Sequence, residues 1–112
     1  MDHTQPISEK NLLTLVYRVE PGCLGPEGIS QIEDFCQFAQ SNISTANHNF
    51  LSMEIIPRYD KSISELQYQV NNKTLSQDQV VKYLSIFKQD ISSIEDDFHE
   101  EIANLIEKYT TS

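Results

Sequence analysis

Glycine and cysteine are scarce in this chain: 112 residues contain three glycines and two cysteines. Two cysteines cannot form the disulfide framework of a small secreted domain, so Cys23 and Cys36 are expected to be free thiols in a reducing compartment. The amino terminus also lacks a basic stretch followed by an apolar core, which is the form of a cleaved secretion signal. We therefore expect a cytoplasmic protein.

Long apolar runs and clustered basic residues are missing as well. No segment approaches the roughly 18 consecutive apolar residues of a membrane-spanning helix, so no membrane association is expected. Eight lysines and arginines stand against 17 aspartates and glutamates, for a net charge of −9. Because nucleic-acid binding draws on clustered basic residues, this balance argues against a nucleic-acid partner. An acidic mimic of DNA is the alternative within that class.

Hydrophobic periodicity predicts five elements in a single domain covering residues 1–112. Residues 1–10 are polar and are expected to be flexible. Strands are predicted at Leu12–Val19, Phe50–Ile56 and Ile63–Val70, and helices at Ile29–Ile43 and 76–110. This is an α+β two-layer sandwich in the order strand-helix-strand-strand-helix.

The connections between these elements predict how the strands pair. A right-handed crossover makes the first two strands parallel, and a turn makes the second and third an antiparallel hairpin. Asn71 and Asn72 both tolerate positive φ, so a tight reversal is expected after the third strand. The layout resembles a ferredoxin-like unit without its last strand, which implies no function.

The carboxyl-terminal helix is the longest predicted element, with no glycine or proline from Ser76 to Tyr109. Ser76 and Gln79 have the spacing of a capping box, which marks its start. Its apolar stripe consists of Val80, Leu84, Phe87, Ile91, Ile94, Phe98, Ile102, Leu105 and Tyr109. A straight helix of this length spans about 50 Å, whereas a compact domain of this size is roughly 35 Å across.

This mismatch in length leaves two outcomes for the helix. Either a second copy of the chain covers the overhang, or the helix bends near Gln89 to Ser93, where Ser92 and Glu95 can cap a second helix. We favour the unbroken or merely kinked helix. The favoured function is accordingly a small acidic interaction module that forms a homodimer, with no further partner specified. The residues predicted to self-associate are Ile91, Ile94, Phe98, Ile102, Leu105 and Tyr109.

The loop Glu20–Gly28 holds all three glycines and two of the four prolines. Its simplest interpretation is a helix start, with Gly25 as the cap, Pro26 in the first position and Glu27 at the positive end of the helix dipole. Loops between a strand and a helix are also common binding places. The alternative function is therefore a small-molecule binding protein or an enzyme. Its candidate ligand-binding residues are Glu20, Gly22, Cys23, Gly25 and Gly28.

Phosphate is a disfavoured ligand for this loop, because the glycine spacing matches neither the dinucleotide fingerprint nor the P-loop and no lysine is present. Cys23 precedes a helix start, which is one setting of reactive thiols. No histidine lies next to it in the sequence, and no nucleophile elbow occurs elsewhere. We therefore expect a protein that is not an enzyme and needs no cofactor.

Two further groups of residues invite a functional interpretation. Five acidic residues surround His99, namely Glu95, Asp96, Asp97, Glu100 and Glu101. A dinuclear metal site needs ligands from several helices, so we predict that this cluster is a solvated face without a metal. Gln67 and Gln69, together with Tyr17, Tyr59 and Tyr68, either line a ligand groove or form ordinary sheet surface.

Overall fold

The structure is a computed structural model that describes residues 13–44 and 51–111. Its strands are β1 (Leu13–Val19), β2 (Leu51–Pro57), β3 (Leu66–Val70) and β4 (Lys73–Thr74). Its helices are α1 (Gly28–Asn42), α2 (Gln77–Ile86) and α3 (Ile91–Thr111), and a short 3-10 helix at Pro21–Leu24 joins β1 to α1. The predicted α+β class with a long carboxyl-terminal helix is confirmed. The segment 1–10, predicted to be flexible, lies outside the described residues.

The four strands form one mixed sheet in the order β2-β1-β3-β4. Strands β1 and β2 are parallel, with Leu13 opposite Leu51, so the predicted parallel pairing of the first two strands is confirmed. Strand β3 pairs antiparallel with β1, with Leu15 opposite Tyr68, so the predicted hairpin of the second and third strands is wrong. The most apolar strand, β1, therefore lies inside the sheet, with β2 on one side and β3 on the other. In a ferredoxin-like unit, another strand lies between the two strands that the first helix joins. Here β1 and β2 are direct neighbours, so the resemblance does not hold.

The outer edge of β2 is closed by a side chain of α1. The Gln40 amide nitrogen donates to the Met53 carbonyl at 2.9 Å, and its oxygen accepts from the Ile55 amide at 2.8 Å. These two bonds replace the backbone hydrogen bonds that a further strand would form with Met53 and Ile55. An edge satisfied in this way is a weaker template for pairing with another chain.

The hairpin from β3 to β4 forms at the predicted asparagines. Asn71 and Asn72 have φ of 54° and 65°, so the prediction of positive φ is confirmed. Thr74 lies opposite Gln69. Strand β4 contains only two residues. It was not predicted, because an alternation of apolar and polar residues cannot be recognised over so short a segment.

The predicted unbroken or merely kinked helix over 76–110 is wrong, because the chain forms two helices, α2 and α3, with an interruption at residues 87–90. The alternative of two helices is correct. Helix α2 starts at the predicted capping box of Ser76 and Gln79, with both of its hydrogen bonds present. It ends at Ile86, where the Gln89 amide bonds to the Leu84 carbonyl and the Lys88 amide to the Ser85 carbonyl. This is a Schellman motif with Lys88 in the left-handed position, at φ 56°.

Helix α3 has its own amino-terminal cap. The Asp90 carboxylate accepts a hydrogen bond from the Ser93 amide at 3.1 Å, so the predicted cap at Ser92 is wrong. No glycine marks the break, because a lysine occupies the position that glycine usually takes. The cost of a left-handed lysine, about 1 kcal/mol, is offset by the packing of both helices on one core.

The apolar stripe is covered within the chain itself. Val80, Leu84, Ile94 and Phe98 are each 1% exposed, and Ile102 and Leu105 are 3% and 4% exposed. All belong to one core cluster with the inward side chains of β1, β2 and α1. None of the helices in residues 13–44 and 51–111 has the length and apolar content that a membrane crossing requires.

Candidate functional site

The predicted binding loop, residues 20–28, uses its backbone donors internally. The amides of Cys23, Gly25 and Gly28 donate to the carbonyls of Glu20, Gly22 and Gly25, respectively. An anion site at a helix start requires free amides that point towards the ligand. These three amides are therefore not available to form such a cradle.

The glycines of this loop have conformational and packing roles. Gly25 ends the 3-10 helix with φ of 98°, and α1 begins at Gly28 with Glu27 as its cap. The prediction that Gly25 caps the amino terminus of α1 and that Pro26 is the first residue of α1 is therefore wrong. A Cβ atom added to Gly28 would lie 1.8 Å from the Pro21 carbonyl oxygen, so no larger residue fits there.

The side chains of the loop are not directed at a common point. The Glu20 carboxylate forms an ion pair with Arg58 and lies 3.9 Å from the Lys61 ammonium. The Cys23 thiol is exposed, whereas Cys36 is buried in the core as predicted. Burial raises the pKa of Cys36 to about 11, with the Glu33 charge as the second cause. The loop thus brings Glu20 to two cations and leaves Cys23 at the surface.

The residues predicted to self-associate are placed in the chain's own core. Of the six, Ile94, Phe98, Ile102 and Leu105 are buried. Tyr109 packs edge-on against Phe35 at 5.3 Å between ring centroids, and its hydroxyl donates to Asp34 at 2.7 Å. The homodimer stays a prediction, but the uncovered stripe that suggested it is absent from the described part of the chain.

The acidic cluster around His99 does not converge. In residues 13–44 and 51–111, no group of three or more histidine, cysteine, aspartate or glutamate side chains is placed to share a metal ion. Asp96 and Glu100 are exposed. Two members of the segment, Glu95 and His99, instead bond to tyrosines of the sheet.

A cavity of about 260 Å³ lies between the β3–β4 hairpin and helices α2 and α3. Its apolar walls are Leu66, Leu75, Val80 and Ile91. Its polar lining consists of Ser64, Gln67, Tyr68, Thr74, Gln77 and Glu95. The cavity thus combines residues from β3, β4, α2, α3 and the segments beside them. We call it the Tyr68–Glu95 cavity.

A tyrosine and a carboxylate are paired at the wall of this cavity. The Tyr68 hydroxyl donates to Glu95 Oε2 at 2.8 Å. Burial raises the pKa of Tyr68, and the hydrogen bond to Glu95 raises it further. The phenol therefore keeps its proton near neutral pH and holds the carboxylate in place. No described residue donates a hydrogen bond to the other oxygen, Oε1.

A second pair follows one helical turn along α3. The Tyr17 hydroxyl lies 2.6 Å from His99 Nδ1, and the two rings meet edge-on. Burial is the main cause that raises the pKa of Tyr17, followed by the charges of Glu65 and Cys23. Because the phenol keeps its proton, its hydroxyl is able to donate this bond to Nδ1. This pair fixes α3 on the sheet and lies outside the cavity lining.

The structure separates the residues that were predicted to line a groove. Tyr68 and Gln67 line the cavity, whereas the Tyr17 ring is in the core and Tyr59 is exposed and bonds to Glu33. Sequence reasoning missed Glu95, which it assigned to the solvated face. A signal was available, because Glu95 follows Ile91 by four residues and precedes Phe98 by three, which places it at the flank of the stripe.

Comparison with known proteins gives no match: no protein-family model, no curated protein and no solved structure resembles this chain.

Proposed function

We propose that this protein binds a small molecule in the Tyr68–Glu95 cavity. The observation that carries the proposal is the half-buried Glu95 carboxylate, held by a buried tyrosine at the wall of a cavity of about 260 Å³. Small-molecule sites typically combine apolar walls with a few convergent polar groups. The volume is below the usual range for drug-sized ligands, which is about 300 to 1,000 Å³, so the ligand is smaller than these.

The two parts of the lining have different tasks in this proposal. Leu66, Leu75, Val80 and Ile91 remove the apolar part of a ligand from water, which supplies most of the binding free energy. The Tyr68 and Glu95 pair orients the polar part, because a preformed carboxylate loses little conformational entropy when a ligand binds.

Tyr68 does not act as a general base in this proposal. A general base must lose its proton near the working pH, and the raised pKa of Tyr68 keeps its hydroxyl protonated there. The original alternative, a small-molecule site at the loop Glu20–Gly28, has less support, because three of that loop's amides are bonded internally.

An NMR titration with a library of small fragments tests the proposal. We expect fragments that shift the amide signals of Tyr68, Ile91 and Glu95 together. Thr74 is exposed and lines the cavity, so Thr74→Trp should block it and abolish these shifts. Lys73 is its exposed neighbour in β4 and does not line the cavity, so Lys73→Trp should leave them unchanged. A library without hits, or hits that Thr74→Trp does not affect, would overturn the proposal.

A further inference from the structure

We infer that the ligand of the Tyr68–Glu95 cavity is a small organic cation, a primary ammonium with a short apolar chain. This inference rests on the proposed function and names the chemistry of its ligand. It follows from the charge of the lining, from the Glu95 oxygen Oε1, which has no donor among the described residues, and from the hydrogen bonds of Arg18.

Among the described residues, the lining carries one charge. Glu95 is the only acidic residue that lines the cavity there, and none of the described lining residues is lysine, arginine or histidine. A half-buried carboxylate repels an anionic ligand and accepts a hydrogen bond from a neutral one. A ligand ammonium adds the attraction between opposite charges, which is stronger at a partly buried site than in bulk water.

The two oxygens of the Glu95 carboxylate differ in their hydrogen bonds. Glu95 Oε2 accepts from Tyr68, while Oε1 has no donor among the residues that the structure describes. Ser64, Thr74 and Gln77 also line the cavity, and their side chains carry further hydrogen-bond acceptors. An ammonium has three hydrogens to donate and no acceptor, so this set of acceptors matches it.

The nearest basic side chain in β1 does not neutralise Glu95. Arg18 donates to the Ser64 carbonyl at 2.8 Å and to Gln67 Oε1 at 2.7 Å. Both acceptors belong to residues of the cavity lining. Glu95 bonds to Tyr68 instead. The Arg18 guanidinium is therefore occupied by Ser64 and Gln67.

The charge of the whole chain acts in the same direction. A net charge of −9 creates a negative potential around the molecule, which attracts cations and repels anions. The apolar walls Leu66, Leu75, Val80 and Ile91 suit an alkyl chain beside the ammonium. A short alkylammonium thus satisfies both parts of the lining.

Three probes with one carbon skeleton test the inference: n-butylammonium, 1-butanol and butyrate. Each is titrated into the full chain while the amide signals of Tyr68, Ile91 and Glu95 are followed by NMR. We expect butylammonium to bind more tightly than butanol, and butyrate to produce no shifts. Equal binding of butylammonium and butanol, or preferential binding of butyrate, would overturn the inference while the proposed function stands. If none of these probes and no library fragment binds, both fail.

A matched pair of variants separates the local carboxylate from the charge of the chain. Glu95→Gln and Asp96→Asn each remove one negative charge from neighbouring positions of α3, and Asp96 does not line the cavity. Glu95→Gln should weaken butylammonium binding by about tenfold or more and leave butanol unchanged, whereas Asp96→Asn should leave both nearly unchanged. An equal loss in the two variants would show that net charge attracts the amine, which would overturn the assignment to Glu95.

Discussion

At the residue scale, two tyrosines of the sheet hold two side chains of α3 that lie one turn apart. Tyr17 contacts His99 and Tyr68 contacts Glu95, and both tyrosines are buried whereas the two hydrogen bonds are part-buried. Burial raises the pKa of each phenol. The folded state therefore retains two protons that the unfolded chain releases once the pH passes the ordinary tyrosine pKa. This difference couples stability to alkaline pH.

Replacing Tyr68 by phenylalanine tests this coupling. At about pH 8, we expect Tyr68→Phe to lower the free energy of unfolding by about 1 to 2 kcal/mol, because Glu95 loses its hydrogen-bond donor. The Tyr68 contribution is fully present below its unfolded pKa of 10.0 and declines as the pH rises above that value towards the folded pKa. Denaturant unfolding at a series of pH values should therefore show the wild type and the variant converging above pH 10.

The exposed Tyr59 provides the control for this measurement. Its hydroxyl also bonds to a carboxylate, that of Glu33, but at the surface, where water replaces a lost hydrogen bond. Tyr59→Phe should therefore change stability by less than Tyr68→Phe at neutral pH. A gap between wild type and Tyr68→Phe that stays constant from neutral to strongly alkaline pH would refute the coupling.

At the element scale, the break between α2 and α3 decides where the apolar stripe goes. The two helices meet at residues 87–90, and Lys88 adopts φ of 56° there. A left-handed lysine is strained because its Cβ approaches the backbone, whereas glycine adopts this conformation without that cost. The bend thus persists because its Schellman hydrogen bonds and the packing of both helices outweigh the strain.

Substituting glycine at Lys88 should therefore stabilise the protein. We expect Lys88→Gly to raise the free energy of unfolding by about 0.5 to 1 kcal/mol, since the relief of strain exceeds the added entropy of the unfolded chain. Lys82→Gly is the matched control, because Lys82 is an exposed residue inside α2 and glycine costs about 1 kcal/mol there. Denaturant unfolding measures both. A loss of stability in both variants would mean that Lys88 is not a strained position.

At the scale of the whole molecule, α2 and α3 both cover the core of their own chain. Phe98 and Ile102 are buried to the same degree as the inward residues of the sheet. A dimer through this stripe would require α3 to leave the core. The predicted homodimer, if it forms, therefore uses another surface.

Sedimentation equilibrium and unfolding of Ile102→Ala test this interpretation. We expect the substitution to lower the free energy of unfolding by about 2 to 4 kcal/mol, because it leaves a cavity in the core, and to leave the molecular mass in solution unchanged. Ile86→Ala is the control, since Ile86 is 76% exposed and should change stability by less than about 0.5 kcal/mol. If Ile102→Ala dissociated a wild-type dimer and left the stability of each chain intact, the original hypothesis of pairing through the stripe would be restored.

The sequence by itself determined the features that depend on neighbours within a few residues. The Ser76 and Gln79 capping box, the left-handed Asn71 and Asn72, and the stripe of apolar residues in α2 and α3 all follow from local geometry and periodicity. Tertiary structure decided the rest. It placed β3 beside β1, bent the chain at Lys88 and turned Glu95 towards Tyr68, because each outcome depends on the burial of surfaces that are distant in sequence. Lys88 keeps its strained conformation only because α2 and α3 pack on one core. The free energy of this packing cannot be inferred from residues that are close in sequence.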